Sequence, residues 1–112
     1  MSFALFDVVV APFPYTDRLV EKRRPALVVS RPEVELEHGW LWLAMITSTP
    51  GELRGGDVAI SDLAPTGLTR ACRVRASKLA TLDRGLILRR AGTLAPEDVA
   101  AVCKALAACA GW

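Results

Sequence analysis

A single histidine, His38, sits among the 112 residues, so catalysis by paired histidines is excluded. It stands beside Gly39 in an expected turn, where water is its natural surrounding. The three cysteines, at 72, 103 and 109, form neither a C-x-x-C pair nor an even set. A zinc site and a secreted disulfide scaffold are both unsupported, and reduced, buried thiols are the expectation. Lysine and arginine outnumber aspartate and glutamate only 14 to 12, and a formal charge of +2 is too small a surplus to imply nucleic-acid binding by itself. No H-E-x-x-H, P-loop or G-x-G-x-x-G pattern occurs, so no metal and no other cofactor is expected. No apolar stretch is long enough for a bilayer; the N-terminus has no basic region, and Asp7 interrupts its apolar run. The expectation is a cytoplasmic protein with no membrane contact.

What the chain does have is apolar content: 52% hydrophobic residues and a mean hydropathy of +0.30. At this length one core and one domain, residues 1–112, are expected, with apolar surface left over for a partner surface. An oligomer follows as an expectation.

Val8-Val9-Val10-Ala11, stopped by Pro12-Phe13-Pro14, reads as a first strand leaving into a loop over Thr16 to Arg24. Pro25-Ala26-Leu27-Val28-Val29-Ser30 is too continuous for an exposed hairpin and suits a strand buried on both faces. The alternating Glu33, Glu35 and Glu37 predict a solvated strand face or polar loop, and Trp40 to Ile46 a third strand. Ser48 to Gly56 is dense in turn residues and reads as a loop, followed by a short strand from Asp57 to Ile60. Ala71-Cys72-Arg73-Val74-Arg75 alternates apolar and basic residues, the pattern of a strand with one wet, cationic face. A last extended segment runs from Leu86 to Leu94 around Arg89-Arg90. Helix is expected only at the end: Pro96 at the first position, Glu97 and Asp98 at the positive end of the dipole, and Leu94 stapled on Val99. Its inward stripe is Val99, Val102, Cys103 and Leu106, and it stops near Gly111. The expected fold is mainly β, a small bent β-barrel plus one α-helix.

Chemistry points to the arginines. From Arg70 to Arg90 the chain carries Arg70, Arg73, Arg75, Lys78, Arg84, Arg89 and Arg90 against one acid, Asp83, while Lys22-Arg23-Arg24 closes the first loop. Judged by charge alone, solubilising arginines and a phosphate-binding groove are equally good accounts, but planar guanidinium forks suit phosphodiester oxygens. Thr47 and Ser48 follow a hydrophobic strand directly, where side chains are held firmly yet stay reachable; satisfying turn backbone is their plainer role. Trp40 and Trp42 share one strand face and are expected in the core or a subunit interface rather than stacking bases.

In order, Asp7-Val8-Val9-Val10-Ala11-Pro12-Phe13-Pro14-Tyr15-Thr16-Asp17, Arg23-Arg24-Pro25-Ala26-Leu27-Val28-Val29-Ser30, Ile46-Thr47-Ser48, Ser77-Lys78-Leu79 with Thr81-Leu82-Asp83, and Gly92-Thr93-Leu94 resemble the MazF/PemK toxin family over nearly the whole chain. The resemblance implies an SH3-like barrel with a C-terminal α-helix and a homodimer. It also implies the toxin half of a type II toxin–antitoxin pair, held by a cognate antitoxin, that cuts single-stranded RNA without a metal. By position it makes Arg24 and Thr47 the catalytic pair, with Ser48 their neighbour. Arg73 and Arg75, on one side of their strand, are expected to grip the RNA backbone, and Arg23, Ser48 and Ser77 complete the expected substrate-binding residues. Two positions depart from the family. Phe6 stands where glycine is common, and Arg75-Ala76-Ser77 lacks the acid of the R-x-D pair that one branch carries. Two other functions stay open: a non-enzymatic toxin of related fold that inhibits a protein such as a topoisomerase, and a plain nucleic-acid-binding barrel.

Overall fold

A computed structural model of the chain describes residues 2–13, 22–48 and 50–112. Most of the expected first loop, from Thr16 to Glu21, lies outside the described residues, as do Pro14 and Tyr15 of the opening motif.

The described residues form six strands: β1 (Asp7–Phe13), β2 (Lys22–Val28), β3 (Trp40–Thr47), β4 (Asp57–Ala59), β5 (Arg73–Asp83) and β6 (Arg89–Thr93). All pair antiparallel in one sheet of order β4-β5-β3-β2-β1-β6. A helix α1 (Pro32–His38) precedes β3, and α2 (Pro96–Ala110) closes the chain. The mainly β architecture with a C-terminal helix is the one expected.

Successive strand residues face opposite ways, and over residues 7–9 of β1, 26–28 of β2 and 43–47 of β3 both directions are dry. Val9, Ala11, Ala26, Val28, Leu41, Leu43 and Met45 pack with Phe3 on one face. Val8, Leu27, Ala44 and Ile46 pack with Val74, Leu94 and Val102 on the other, under α2. These continuous apolar runs are therefore strands buried on both sides. The ladder of β3 on β5 is interrupted where residues 76–78 of β5 find no partner on β3, between the pairs Ala44 with Leu79 and Met45 with Arg75. An irregularity of this kind locally increases bend and twist.

Helix α1 corrects the reading of the glutamates. Pro32 takes an opening position, Glu33 and Glu35 occupy the first turn, and Gly39 closes the helix at φ 80°, its N–H on the Glu35 carbonyl at 2.8 Å. Glu35 turns inward and is buried. Its carboxylate accepts the Phe3 N–H at 2.8 Å and meets Arg84 at 3.4 Å. Helix is thus not confined to the C-terminus, and His38 ends α1 with its ring stacked 4.9 Å from that of Trp40.

Other corrections are local. Trp40 and Trp42 are not core residues; they are 41% and 45% exposed. Cys103 and Cys109 are exposed and Cys72 half-buried, so the thiols are not uniformly buried and Cys103 drops out of the inward stripe. Leu86 belongs to a 3-10 turn, Arg84–Leu86, rather than to the last strand. In α2, Ala95 makes no side-chain cap, and Asp98 is buried, accepting bonds from the Ser61 hydroxyl at 2.7 Å and the Ser61 N–H at 3.1 Å. Phe6 holds φ 71°, keeping the left-handed backbone that glycine takes most easily.

Candidate active site

β2 and β3 pair Ala26 with Met45, Leu27 with Ala44 and Val28 with Leu43. Beyond the Ala26–Met45 end of this ladder the two strands run on to Arg24 and Thr47, and both side chains line one open pocket of about 320 Å³. Thr47 is buried and Arg24 half-buried, so each is held by its strand before any ligand arrives.

The rest of the wall comes from three places. Ser48 follows Thr47 directly. Gly67, Leu68, Thr69, Arg70 and Cys72 come from the segment after a 3-10 turn at Ala64–Thr66, and Arg89 and Ala91 from β6. Backbone approach fixes that segment against β6. A Cβ on Gly67, whose φ is 75°, would run into the Ala91 carbonyl, and one on Gly92 would run into the Pro65 carbonyl. Only glycine fits either place, and the second wall of the pocket depends on both.

The described lining carries three guanidiniums, Arg24, Arg70 and Arg89, three hydroxyls, Thr47, Ser48 and Thr69, and no carboxylate or imidazole. Such a wall favours an anion and offers it several hydrogen-bond donors. Burial pushes the Cys72 thiol up, with the Arg70 guanidinium pulling partly the other way, so the thiol keeps its proton at neutral pH. Among the described residues no group of three or more His, Cys, Asp or Glu side chains is placed to hold a metal ion, and no helix is long and apolar enough to cross a membrane.

The expected substrate-binding residues divide. Ser48 joins Arg24 and Thr47. Arg73 lines an adjoining pocket of about 310 Å³ that shares Thr47, Ser48 and Cys72 with the first, and Arg75 lines the next one out, of about 440 Å³. The basic face of β5 is neither fully wet nor uncompensated. Asp57, its side chain 1% exposed, meets Arg73 at 3.4 Å and Arg75 at 3.9 Å. Arg73 also donates to the carbonyls of Gly51 at 2.6 Å and Glu52 at 2.8 Å, pinning the loop between β3 and β4. Arg23 is exposed, and since adjacent strand residues point apart it does not share the pocket with Arg24. Ser77 lies elsewhere, beside Gly56 and Cys109. Sequence reasoning did not single out Arg70 and Arg89; both belong to the cationic cluster, but nothing in their local pattern sets them apart from the other arginines.

Fold and site together define a small β protein with a cationic, hydroxyl-bearing pocket at the open end of its central strands. Comparison with known proteins gives it a family. The model of the PemK-like, MazF-like toxins of type II toxin–antitoxin systems matches residues 5–109, and the chain belongs to that family. Among solved structures, MazF from Deinococcus radiodurans superposes with a TM-score of 0.80 at 22% identity, covering 100% of this chain and 99% of that one. An endoribonuclease in complex with its cognate antitoxin from a mycobacterial species gives 0.79 at 19% identity, covering 98% and 96%. The Mycobacterium tuberculosis toxin MazF-mt6 gives 0.75 at 22% identity, covering 94% and 96%. These likenesses establish the shared fold, the SH3-like barrel with its C-terminal helix. A search of curated sequences returned no match.

Proposed function

We propose that this toxin is an endoribonuclease that cuts single-stranded messenger RNA in the cytoplasm without a metal ion, with Arg24 and Thr47 as its catalytic pair. The carrying observation is that these two residues, 23 positions apart in sequence, line one pocket. RNA brings its own nucleophile. The 2′-hydroxyl attacks the adjacent phosphorus, the 5′-oxygen departs, and a 2′,3′-cyclic phosphate remains, one proton leaving the 2′-oxygen and one joining the 5′-oxygen. The protein supplies orientation and charge stabilisation. Arg24 donates to the non-bridging oxygens as charge gathers on them, and the Thr47 hydroxyl holds the phosphate in line. A guanidinium with a pKa above about 12 stabilises charge and does not take the proton.

Ser48 extends the phosphate contact. Arg23, Arg73, Arg75 and Ser77 are the further substrate-binding residues of this reading, with Arg73 and Arg75 bordering the adjoining pockets. The working form is a homodimer, to which the exposed Trp40 and Trp42 give apolar surface, restrained by a cognate antitoxin whose acidic segment folds against the cationic side.

The test is incubation of the purified chain with long single-stranded RNA in EDTA. Discrete fragments ending in cyclic phosphate are expected. An intact, folded protein that leaves varied RNAs uncut would favour the non-enzymatic toxin.

A further inference from the structure

We propose that the RNA strand does not end at the Arg24–Thr47 pocket but continues past Arg89 into a second pocket that holds a flanking nucleotide. This inference rests on the assignment of the first pocket to a phosphodiester. The second pocket has a volume of about 550 Å³ and is lined by Phe3, Arg84, Ile87, Leu88, Arg89 and Arg90. Arg89 lines both pockets, so the two adjoin across β6.

The arginines of this pocket are anchored from behind. Arg84 meets Glu35 at 3.4 Å and Arg90 meets Asp7 at 3.0 Å, and both carboxylates are nearly dry at 1% and 6% exposure. The two guanidiniums are nevertheless 47% and 51% exposed. Each ion pair uses one edge of the fork and leaves other N–H donors facing outward, already oriented. Arg89 makes no ion pair among the described residues and brings a third guanidinium to the pocket. Phe3 and Ile87 supply an apolar floor, and the Leu88 N–H is tied to the Val10 carbonyl at 2.9 Å.

A guanidinium with no ion pair among the described residues, set beside apolar surface, fits one phosphate and one base, the alternation of a single strand. A run of carboxylates would want more unpaired charge and less grease. The other side of the active pocket already has its cations in Arg73 and Arg75, so the second pocket gives the strand a hold on both sides of the cut.

The test compares binding of 2′-fluoro oligouridylates three and twelve nucleotides long, which 2′-attack cannot cut, by fluorescence anisotropy. Leu88 is 49% exposed and lies outside the Arg24–Thr47 lining. Leu88→Glu is expected to weaken the twelve-nucleotide strand about tenfold while leaving the three-nucleotide one within about twofold, and Leu88→Lys to hold or tighten the longer strand. Thermal denaturation confirms that both variants fold. Parental affinity of Leu88→Glu for both lengths, or an equal loss by both variants, would overturn the subsite. So would a variant that keeps both RNAs but loses an oligoglutamate peptide bound by the parent, since the pocket would then serve a protein. Failure of the EDTA cleavage assay with length-selective binding intact would sink the nuclease reading and leave the subsite standing.

Discussion

Arg24, two residues before Ala26 on β2, and Thr47, two residues after Met45 on β3, line the same pocket at the Ala26–Met45 end of the ladder. A hydrophobic ladder buried on both faces thus delivers a guanidinium and a hydroxyl to one pocket.

Arg24→Ala should slow single-turnover cleavage of RNA about a hundredfold to a thousandfold, roughly 2.7 to 4 kcal/mol of lost transition-state stabilisation. RNA binding should be only partly weakened, because Arg70 and Arg89 remain in the pocket. Equal cleavage by variant and parent would remove Arg24 from the chemistry.

Asp57 holds Arg73 and Arg75 at once, and through Arg73 the loop carbonyls of Gly51 and Glu52. Asp57→Ala leaves two largely buried guanidiniums without their carboxylate and should cost about 1–3 kcal/mol in urea denaturation. Faster protease nicking between residues 50 and 56 should accompany it. A variant as stable and as resistant as the parent would show that the clamp contributes nothing.

Gly67→Ala forces a side chain into the left-handed region and against a β6 carbonyl, and Gly92→Ala forces one against the Pro65 carbonyl. The backbone term at Gly67 alone is about 1–2 kcal/mol, and displacement of the segment adds to it. Both variants should melt well below the parent and lose RNA affinity together with stability. Parental melting temperatures would contradict the close approach that builds this wall.

Burial raises the Cys72 thiol, and thiolate is the reactive form. At pH 8, iodoacetamide should therefore modify the exposed Cys103 and Cys109 first, with Cys72 lagging and catching up as the pH rises toward its elevated pKa. Mass spectrometry of timed digests reads the order. Cys72 labelled as fast as the helix cysteines would mean that it is neither buried nor raised.

The strands of the barrel were legible because burial on both faces leaves an unbroken apolar run, and β1, β2 and β3 each have one. Helix α1 was not, although Pro32 and Gly39 mark its two ends. Three glutamates at every second position imitate a strand, and seven residues are too few for a helical period to show. Most of β5 was hidden for a related reason: residues 76–78 leave the ladder, so alternation breaks in the middle of the strand.

By itself the sequence determined a mainly β chain closed by an amphipathic helix, its family resemblance, and Arg24 and Thr47 as the residues to watch, because apolar periodicity and motif order are local properties. Tertiary structure decided which arginines meet. Pairing register and two glycine contacts bring Arg70 and Arg89 to Arg24, while a buried Asp57 takes up Arg73 and Arg75. Distances between strands are set by long-range packing, and no window of sequence contains them.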